Sequence, residues 1–255
     1  MLALLLVAAS LLPLPSGLVE KAFHGRSGAY VQIDVQTGER YESDAKACAA
    51  KFAPCSTFKI WNSAIGLQLG LIASPDAPFW KWDGVKRNVA PGWNQDQTLR
   101  SAFAVSCVPA YQALARQIGK VRMQEWIDRL GYGDRDISAG IDVFWLPAPN
   151  RKTILLSAIE QAELTARLAK GDVPFSTRTQ AELKEVMKVQ STAKGTLYGK
   201  TGTGTDRGTR IGWFVGYVES GGKMNAFACR LEGDGVMGAD ARKAVESILA
   251  GQGLL

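Results

Sequence analysis

A serine and a lysine three residues apart, Ser56 and Lys59, are the residues of this sequence whose types and spacing first suggest chemistry. They stand where loop-like sequence gives way to an apolar pattern of helical period that runs to about Leu71. A helix beginning near Ser56 places both side chains on one face and puts Ser56 near free backbone N–H groups. Because a desolvated, neutral lysine can take a proton from serine, the pair predicts an activated nucleophile.

The same pattern also fits a helix-capping serine followed by a solvated lysine, so the pair needs support from the rest of the chain.

The composition is that of an ordinary globular protein, with 255 residues, 46% apolar and 21% charged. The net charge is +6, but lysine and arginine are spread along the sequence. Nucleic-acid binding is therefore not expected, whereas a mildly basic surface favours small anionic molecules.

Histidine and cysteine usage excludes several kinds of site. His24 is the only histidine, so a Ser-His-Asp triad would have to recruit it, and a zinc site with two histidines is impossible. The four cysteines form neither a CxxC pair nor a zinc-binding spacing; they are Cys48, Cys55, Cys107 and Cys229. We expect no metal.

The first fifteen residues are apolar but too short to span a bilayer, which needs about 20 residues. They fit the core of a secretory signal peptide, predicted over residues 1–17, although the first lysine is only Lys21 and no basic n-region precedes the core. A buried N-terminal helix is the alternative. Export would place the protein in the periplasm or outside the cell and would permit a disulfide.

Strand patterns lie at both ends of the chain and helical patterns lie between them. Residues 29–35 and 39–43 predict a β-hairpin, and residues 211–218 and 224–231 predict two adjacent antiparallel strands joined at Gly221-Gly222. Helices are predicted from Ser56, over 98–118 and in later segments up to about 239–250, and Pro109 places Ser106 close to a turn. The order predicts an α+β protein.

Three short motifs follow one another in the chain: Ser56-x-x-Lys59, Ser106-x-Val108 and Lys200-Thr201-Gly202. This ordered set resembles the penicillin-recognising serine enzymes. Further details make it similar to the class D, oxacillinase-type β-lactamases: Ser-Thr-Phe-Lys at 56–59, Tyr132-Gly133, Phe144-Trp145-Leu146 and Gly212-Trp213-Phe214-Val215-Gly216. The resemblance runs from about residue 28 to the C-terminus.

The resemblance implies the serine β-lactamase fold, an antiparallel sheet flanked by helices with an all-helical subdomain. The catalytic domain would span 18–255, with a helical lobe of about 56–190 inserted in the sheet lobe. It also implies a β-lactam as the small-molecule substrate, no stable membrane span, and a monomer or homodimer. Ser56 would form an acyl-ester, with the N–H groups of Ser56 and Thr203 as the oxyanion hole.

Lys59 is the distinctive residue of the implied mechanism. A lysine buried among apolar groups loses its charge, and a neutral amine can add CO2. The resemblance implies that Lys59 becomes N6-carboxylysine and acts as general base, with CO2 or bicarbonate as its source and no other cofactor. Trp145 would donate its indole N–H to that group, while Val108 and Phe58 keep the surroundings dry.

The remaining implied roles concern the leaving group and the substrate carboxylate. Ser106 and Lys200 would carry the proton toward the lactam nitrogen and help to hold the carboxylate. Thr201 and Gly202 would line the strand edge along which substrate lies. Arg242 is similar to the arginine that pairs with the carboxylate, although a solvated arginine on a terminal helix is the alternative. Trp145 equally fits a core aromatic residue, and Tyr132-Gly133 a helix-terminating turn.

The sequence departs from the family pattern at two positions. Asp134 stands where asparagine is common and would add negative charge if it faces the site; Cys55 stands where alanine often precedes the nucleophile. Cys48 and Cys55 are seven residues apart in a loop, and we predict a disulfide between them. Cys107 and Cys229 are interpreted as small buried hydrophobic residues.

The same scaffold also serves as the sensor domain of β-lactam receptors and, more distantly, as penicillin-binding transpeptidases. Both acylate and release the acyl group slowly. Receptors carry several membrane spans upstream and transpeptidases a lasting anchor, and this sequence displays neither. We therefore expect a hydrolase, with the acylating sensor or penicillin-binding protein as the alternative.

Overall fold

The structure is a computed structural model that describes residues 14–88 and 90–255. Most of the predicted signal peptide, residues 1–13, lies outside the described residues. Within the described ranges no helix has both the length and the apolar character needed to cross a membrane.

Within the described residues, eight strands form two sheets. They are β1 (Ser27–Asp34), β2 (Arg40–Glu42), β3 (Pro78–Trp80), β4 (Gln97–Thr98), β5 (Lys188–Ser191), β6 (Gly195–Asp206), β7 (Thr209–Ser220) and β8 (Lys223–Glu232). Six of them make one antiparallel sheet in the order β2-β1-β8-β7-β6-β5, and β3 pairs with β4 separately. The predicted N-terminal hairpin and the predicted pair of adjacent late strands are confirmed, as is the α+β class.

Two-residue turns connect the long strands β6, β7 and β8. Gly221 and Gly222 join β7 to β8 with φ of 56° and 76°, and Arg207 and Gly208 join β6 to β7 with φ of 49° and 84°. Two consecutive positive φ angles match the right-handed twist of the flanking strands. The predicted turn at Gly221-Gly222 is confirmed.

Nine helices are described: α1 (Leu18–Phe23), α2 (Ala45–Ala49), α3 (Lys59–Gln68), α4 (Leu99–Ala104), α5 (Val108–Ile118), α6 (Lys120–Leu130), α7 (Ala158–Lys170), α8 (Thr177–Met187) and α9 (Gly238–Gly251). Two short 3₁₀ turns, Cys55–Phe58 and Pro91–Trp93, complete the described elements.

The main sheet is covered on both faces, as its alternating sequence requires. Tyr30 and Phe227 pack with α1 and α9 on one face, whereas their neighbours Val31 and Ala228 pack with α7 on the other. A third apolar core, built largely from α3, α5, α6 and α8, fills the helical layer beside the sheet. The 3₁₀ turn that carries Ser56, Cys55–Phe58, lies where this helical layer meets β6 and β7; it is called the nucleophile turn below, after the predicted role of Ser56.

Two helix boundaries differ from the sequence expectation for local reasons. The turn at Ser56 is 3₁₀, and α3 starts only at Lys59 and ends at Gln68 because Gly70 takes a left-handed conformation at φ 68°. The predicted helix over 98–118 is divided into α4 and α5. Pro109 lies in the first turn of α5, so Ser106 falls in the break, as predicted.

The predicted disulfide between Cys48 and Cys55 is wrong in this structure, in which all four cysteines are free and buried. The two thiols point to different partners: Cys48 Sγ donates to the Tyr30 carbonyl at 3.5 Å and Cys55 Sγ to the Ala53 carbonyl at 3.6 Å. Phe52 lies between the two cysteines in the chain. Its backbone N–H donates to the Leu156 carbonyl at 2.9 Å, and its carbonyl accepts from Leu156 N at 2.9 Å. Because this bridge holds the segment extended, the short loop does not close.

Candidate active site

Ser56 and Lys59 form the centre of the site. The Lys59 side-chain nitrogen, Nζ, donates to Ser56 Oγ at 2.7 Å, across one tight turn. Ser56 is half-buried, open enough for a reactant to reach it, whereas Lys59 is 0% exposed. The alternative of a capping serine and a solvated lysine is wrong, because this lysine is buried and points at the hydroxyl.

Burial changes the chemistry of Lys59. Desolvation, reinforced by the nearby charge of Lys200, holds the pKa of Lys59 well below its ordinary value. The Tyr111 ring lies 5.3 Å from Nζ and adds to the dry surroundings. A neutral amine has a lone pair that can accept a proton, so Lys59 can serve as the base for Ser56.

The backbone in front of Ser56 is strained. Cys55 has φ of 53°, a left-handed conformation that costs a non-glycine residue on the order of 1–2 kcal/mol. Its conformation fixes the direction of the next peptide group, which carries the Ser56 N–H. A strained conformation persists only where the surrounding contacts hold it in place. The strain at Cys55 therefore indicates that its neighbours hold the turn before Ser56 in one fixed conformation.

Strand β6 lies directly against this turn. A Cβ atom added at Gly202 would lie 3.2 Å from Ser56 N and 2.9 Å from the Pro54 carbonyl oxygen, and one added at Gly204 would lie 2.7 Å from Cys55 Sγ. Only glycine allows so close an approach. Thr203 lies between these glycines, and its Oγ1 accepts from Gly238 N at 2.8 Å. The structure therefore places Gly202 and Thr203 beside the nucleophile.

Lys200, on the same strand, is a second buried amine. Burial lowers the pKa of Lys200 to about 7. Its Nζ donates to the Thr201 carbonyl at 3.0 Å and lies 5.6 Å from the centre of the Phe103 ring. Because the charge of Lys200 lowers the pKa of Lys59, the two amines lie within electrostatic reach of each other.

Ser106 and Val108 flank the break between α4 and α5. Ser106 has φ of 55° and is half-buried, as is Val108. Cys107 lies between them and is buried in the same apolar core as Phe58 and Tyr111, the residues that surround Lys59. This segment therefore faces the Lys59 region. Among the described residues, no hydrogen bond joins the Ser106 hydroxyl to Ser56, Lys59 or Lys200.

Trp145 is buried in an aromatic cluster but leaves a polar atom without a partner. Its ring centre lies 5.3 Å from that of Phe58 and 5.0 Å from that of Phe144. Trp145 is 0% exposed, and its indole Nε1 has no hydrogen-bond partner within the described part of the chain. Buried N–H groups are seldom left unpaired, so this donor marks a place for an acceptor.

Arg242 lies on a cleft that shares Lys200 and Thr201 of β6 with the site but is not lined by Ser56 or Lys59. It lines this cleft of about 490 Å³ together with Lys200, Thr201 and Arg100. Its Nε donates to Glu246 Oε1 at 2.7 Å, one turn along α9, and its side chain is 39% exposed. A carboxylate in this cleft would meet several cationic groups.

Two further sequence expectations are settled by the geometry. Tyr132 is fully buried against Phe58, with ring centres 5.4 Å apart, and Gly133 follows with φ of 56°. Helix α6 is capped just before this pair by Gly131, with φ of 67°, and Tyr132 N donates back to the Ile127 carbonyl at 3.0 Å, while the Tyr132 ring packs against the turn that carries Ser56. Asp134 is exposed and accepts from Leu155 N at 3.2 Å, so its charge stays away from the site.

Sequence reasoning missed two side chains that hold the loop before the nucleophile. Asp206 Oδ2 accepts from Ala53 N at 2.9 Å, and Trp213 Nε1 donates to the Ala53 carbonyl at 3.0 Å. No motif marks Asp206, and the motif Gly212-Trp213-Phe214-Val215-Gly216 that contains Trp213 predicts no contact with Ala53. The contacts depend on β6 and β7 passing beside residue 53, which local sequence does not reveal.

Comparisons with known proteins agree with this geometry. A family model described as the penicillin binding protein transpeptidase domain matches residues 25–250. A probable β-lactamase of Bacillus subtilis, YbxI, is 36% identical over 93% of this chain and 85% of its own length. The structure of a class D β-lactamase from Bacillus subtilis superposes with a TM-score of 0.87, at 36% identity, covering 96% of this chain and 99% of the other.

The fold alone does not separate hydrolases from receptors. The C-terminal domain of the Bacillus licheniformis BlaR penicillin receptor is 27% identical, with a TM-score of 0.85, covering 93% of this chain and 95% of the other. This TM-score is close to that of the class D enzyme although the identity is lower. The separation of the two classes therefore lies in chemistry at the site.

Proposed function

Because this chain belongs to the class D β-lactamase family, within the penicillin-binding transpeptidase domains, we propose that Ser56 opens a β-lactam ring through an acyl-serine intermediate that Lys59 makes and breaks. The chain is a serine β-lactamase. The observation that carries the residue assignment is the 2.7 Å contact between Lys59 Nζ and Ser56 Oγ, made by a lysine that is fully buried and whose pKa is strongly lowered.

In acylation, Ser56 Oγ attacks the lactam carbonyl carbon while its proton passes to the base at Lys59. Negative charge develops on the carbonyl oxygen, and the N–H groups of Ser56 and Thr203 are the donors we assign to it. The carbon–nitrogen bond then breaks, and the lactam nitrogen takes up a proton through Ser106 and Lys200. In deacylation, the base activates a water that attacks the ester carbon and frees Ser56.

The basic cleft holds the substrate carboxylate. Lys200 and Arg242 line it, and Thr201 and Gly202 provide the strand edge beside the nucleophile. A bidentate guanidinium suits a carboxylate, and Lys200 can add a charge that varies near neutral pH because burial lowers its pKa to about 7. Val108 and Phe58 exclude water from the base.

We also propose that Lys59 is carboxylated by CO2, as N6-carboxylysine. Three observations support the fit: the amine is buried with a lowered pKa, its neighbours are apolar, and Trp145 has a buried N–H without an acceptor. When present, the carbamate supplies an anionic general base for both acylation and deacylation. Trp145 would hold one of its oxygens, since the Trp145 ring packs on Phe58, the residue directly before Lys59.

Replacing Trp145 by phenylalanine tests this part of the proposal. Trp145→Phe keeps the aromatic packing and removes only the N–H, so we expect turnover to fall roughly 10²-fold at ambient CO2. Added bicarbonate should restore part of the loss, because mass action refills a weakened site. Trp126→Phe is the matched control, since Trp126 stacks on Phe175 in the helical layer with ring centres 4.9 Å apart.

Steady-state rates against bicarbonate concentration provide the measurement, and ¹³C NMR with labelled bicarbonate reports the carbamate independently of activity. A Trp145→Phe enzyme with wild-type rates and wild-type bicarbonate dependence would contradict the assigned role. A wild-type protein without a carbamate signal would remove the modification and leave the neutral amine as the base.

Location is a separate proposal. The apolar leader at residues 1–17 supports export, so we propose a periplasmic or secreted bacterial enzyme, where β-lactams meet their targets. We propose that it acts as a monomer or homodimer, since one chain contains all the site residues named above.

A further inference from the structure

The segment that leads into the nucleophile turn is held by side chains rather than by regular structure. Residues 50–54 form only one isolated bridge, from Phe52 to Leu156. Arg230 donates to the Ala50 carbonyl at 3.0 Å, and Arg207 donates to the Lys51 carbonyl at 2.6 Å. Side chains of the main sheet thus fix a stretch that has little order of its own.

Ala53 is the last residue held in this way before the strained turn. It is 0% exposed, and its two backbone groups bond to two side chains: N–H to Asp206 at 2.9 Å and carbonyl to Trp213 at 3.0 Å. Asp206 comes from the end of β6 and Trp213 from β7, so the clamp connects the loop to the strand pair that also carries Gly202. Without the carboxylate, a buried N–H would lose its partner.

Asp206 is a buried carboxylate, and its ion pair with Arg207 does not explain its position. It is 4% exposed, whereas its cationic neighbour Arg207, at 3.2 Å, has a side chain that is 59% exposed. A pair with so exposed a partner contributes little by itself. The carboxylate also lies near Cys55, because after burial it is the main cause that raises the pKa of that thiol, to about 12. The carboxylate therefore bonds to the loop at Ala53 and lies within electrostatic reach of the strained residue, Cys55.

We propose that Asp206 is a positioning residue for acylation, holding Ala53 so that Cys55 keeps its left-handed conformation and Ser56 N–H stays aimed at the oxyanion. The inference rests on the proposed function of Ser56 as nucleophile. It requires no contact between Asp206 and substrate. Asp206 lies two positions beyond Gly204, where an added Cβ atom would lie 2.7 Å from Cys55 Sγ, so this end of β6 packs closely against the turn and the carboxylate acts through it.

The test compares Asp206→Ala with Asp206→Asn by single-turnover acylation with a chromogenic cephalosporin. A misplaced reacting group costs up to about 10²-fold, so we expect the acylation rate constant of Asp206→Ala to fall ~10- to ~100-fold. The dissociation constant of the non-covalent complex should stay within about twofold, since substrate contacts remain. Asp206→Asn keeps an acceptor for Ala53 N–H and should recover most of the rate.

Asp44→Ala is the matched control. Asp44 likewise accepts a backbone N–H, from Ala47 at 2.7 Å, in the same approach to the nucleophile but at an exposed helix start. We expect Asp44→Ala to lower stability by a capping effect and leave the acylation rate unchanged. If Asp44→Ala slows acylation as much as Asp206→Ala does, Asp206 has only a general structural role and the inference is overturned.

Alkylation of cysteines provides a readout that does not depend on activity. Peptide mapping should show faster labelling of Cys55 in Asp206→Ala, while Cys48, buried in the same apolar cluster, stays protected. If Asp206→Ala does not fold, Trp213→Phe removes the other half of the clamp and should slow acylation in the same way. Wild-type acylation and unchanged Cys55 protection in the folded variants would overturn the inference, whereas a wild type inert at Ser56 would instead overturn the proposed function.

Discussion

Replacing Ser56 by alanine is expected to abolish β-lactam turnover, lowering kcat/KM by about 10⁴-fold or more. The effect is large because the variant loses the atom that bonds to the lactam carbonyl, while base, strand edge and basic cleft stay in place. Intact-mass spectrometry after mixing with penicillin should show no acyl adduct on Ser56→Ala and a transient adduct on the wild type. Hydrolysis of a chromogenic cephalosporin gives the rate.

Ser176→Ala serves as the control for this experiment. Ser176 caps α8, where its Oγ accepts from Thr179 N at 3.2 Å, and its loss should cost about 1 kcal/mol of stability without changing the rate. An adduct of the substrate mass on Ser56→Ala would mean that the nucleophile lies elsewhere and that the assigned site is wrong.

Replacing Lys59 by methionine is the second change with a large expected effect. Methionine fills a similar volume but cannot accept a proton, so kcat/KM should fall roughly 10²- to 10⁴-fold, the contribution of a positioned general base. Acylation and deacylation should both slow, because both use the same base. Single-turnover and steady-state rates with a chromogenic cephalosporin separate the two steps.

The same substitution should make the protein more stable, which separates loss of chemistry from loss of fold. In buffer free of CO2, where Lys59 carries no carboxyl group, Lys59 is neutral in the folded state at pH values where the unfolded chain still binds a proton, because burial lowers its folded pKa. Wild-type stability therefore rises with pH up to the unfolded pKa near 10.4, and the advantage of Lys59→Met should shrink as pH rises. Urea denaturation at several pH values measures this trend.

Lys152→Met is a suitable control, because Lys152 has a side chain that is 78% exposed and pairs with Asp136 at the surface. It should change neither the rate nor the pH trend appreciably. A Lys59→Met enzyme that keeps wild-type kcat/KM would show that another group takes the Ser56 proton. A loss of stability at all pH values would show that Lys59 is charged in the folded protein.

The sequence was informative where function depends on residues close together in the chain. Ser56 and Lys59 lie one turn apart, so their contact follows from local geometry, and Pro109 correctly placed Ser106 at a break. The α+β class and the late hairpin followed from alternating apolar residues and a Gly-Gly turn. In each case the deciding interaction is short in sequence.

Predictions were wrong or missing where the deciding contact joins residues that are far apart in the sequence. The disulfide was predicted from a spacing of seven residues, but Phe52 pairs with Leu156 and keeps the two cysteines on separate paths. The clamp on Ala53 by Asp206 could not be foreseen, because 153 residues separate the two. The unpaired N–H of Trp145 is likewise a property of packing, since sequence shows the tryptophan but not what surrounds its nitrogen.

The number of β-lactam molecules opened per Ser56 tests the central claim most directly. A chromogenic cephalosporin in large excess, with bicarbonate present, should be opened continuously by the wild type and not by Ser56→Ala. Steady turnover would establish that the acyl-enzyme is released, as a hydrolase requires. A burst of one equivalent followed by a stable acyl-protein mass would contradict it and assign the chain to the sensors or transpeptidases that share this fold.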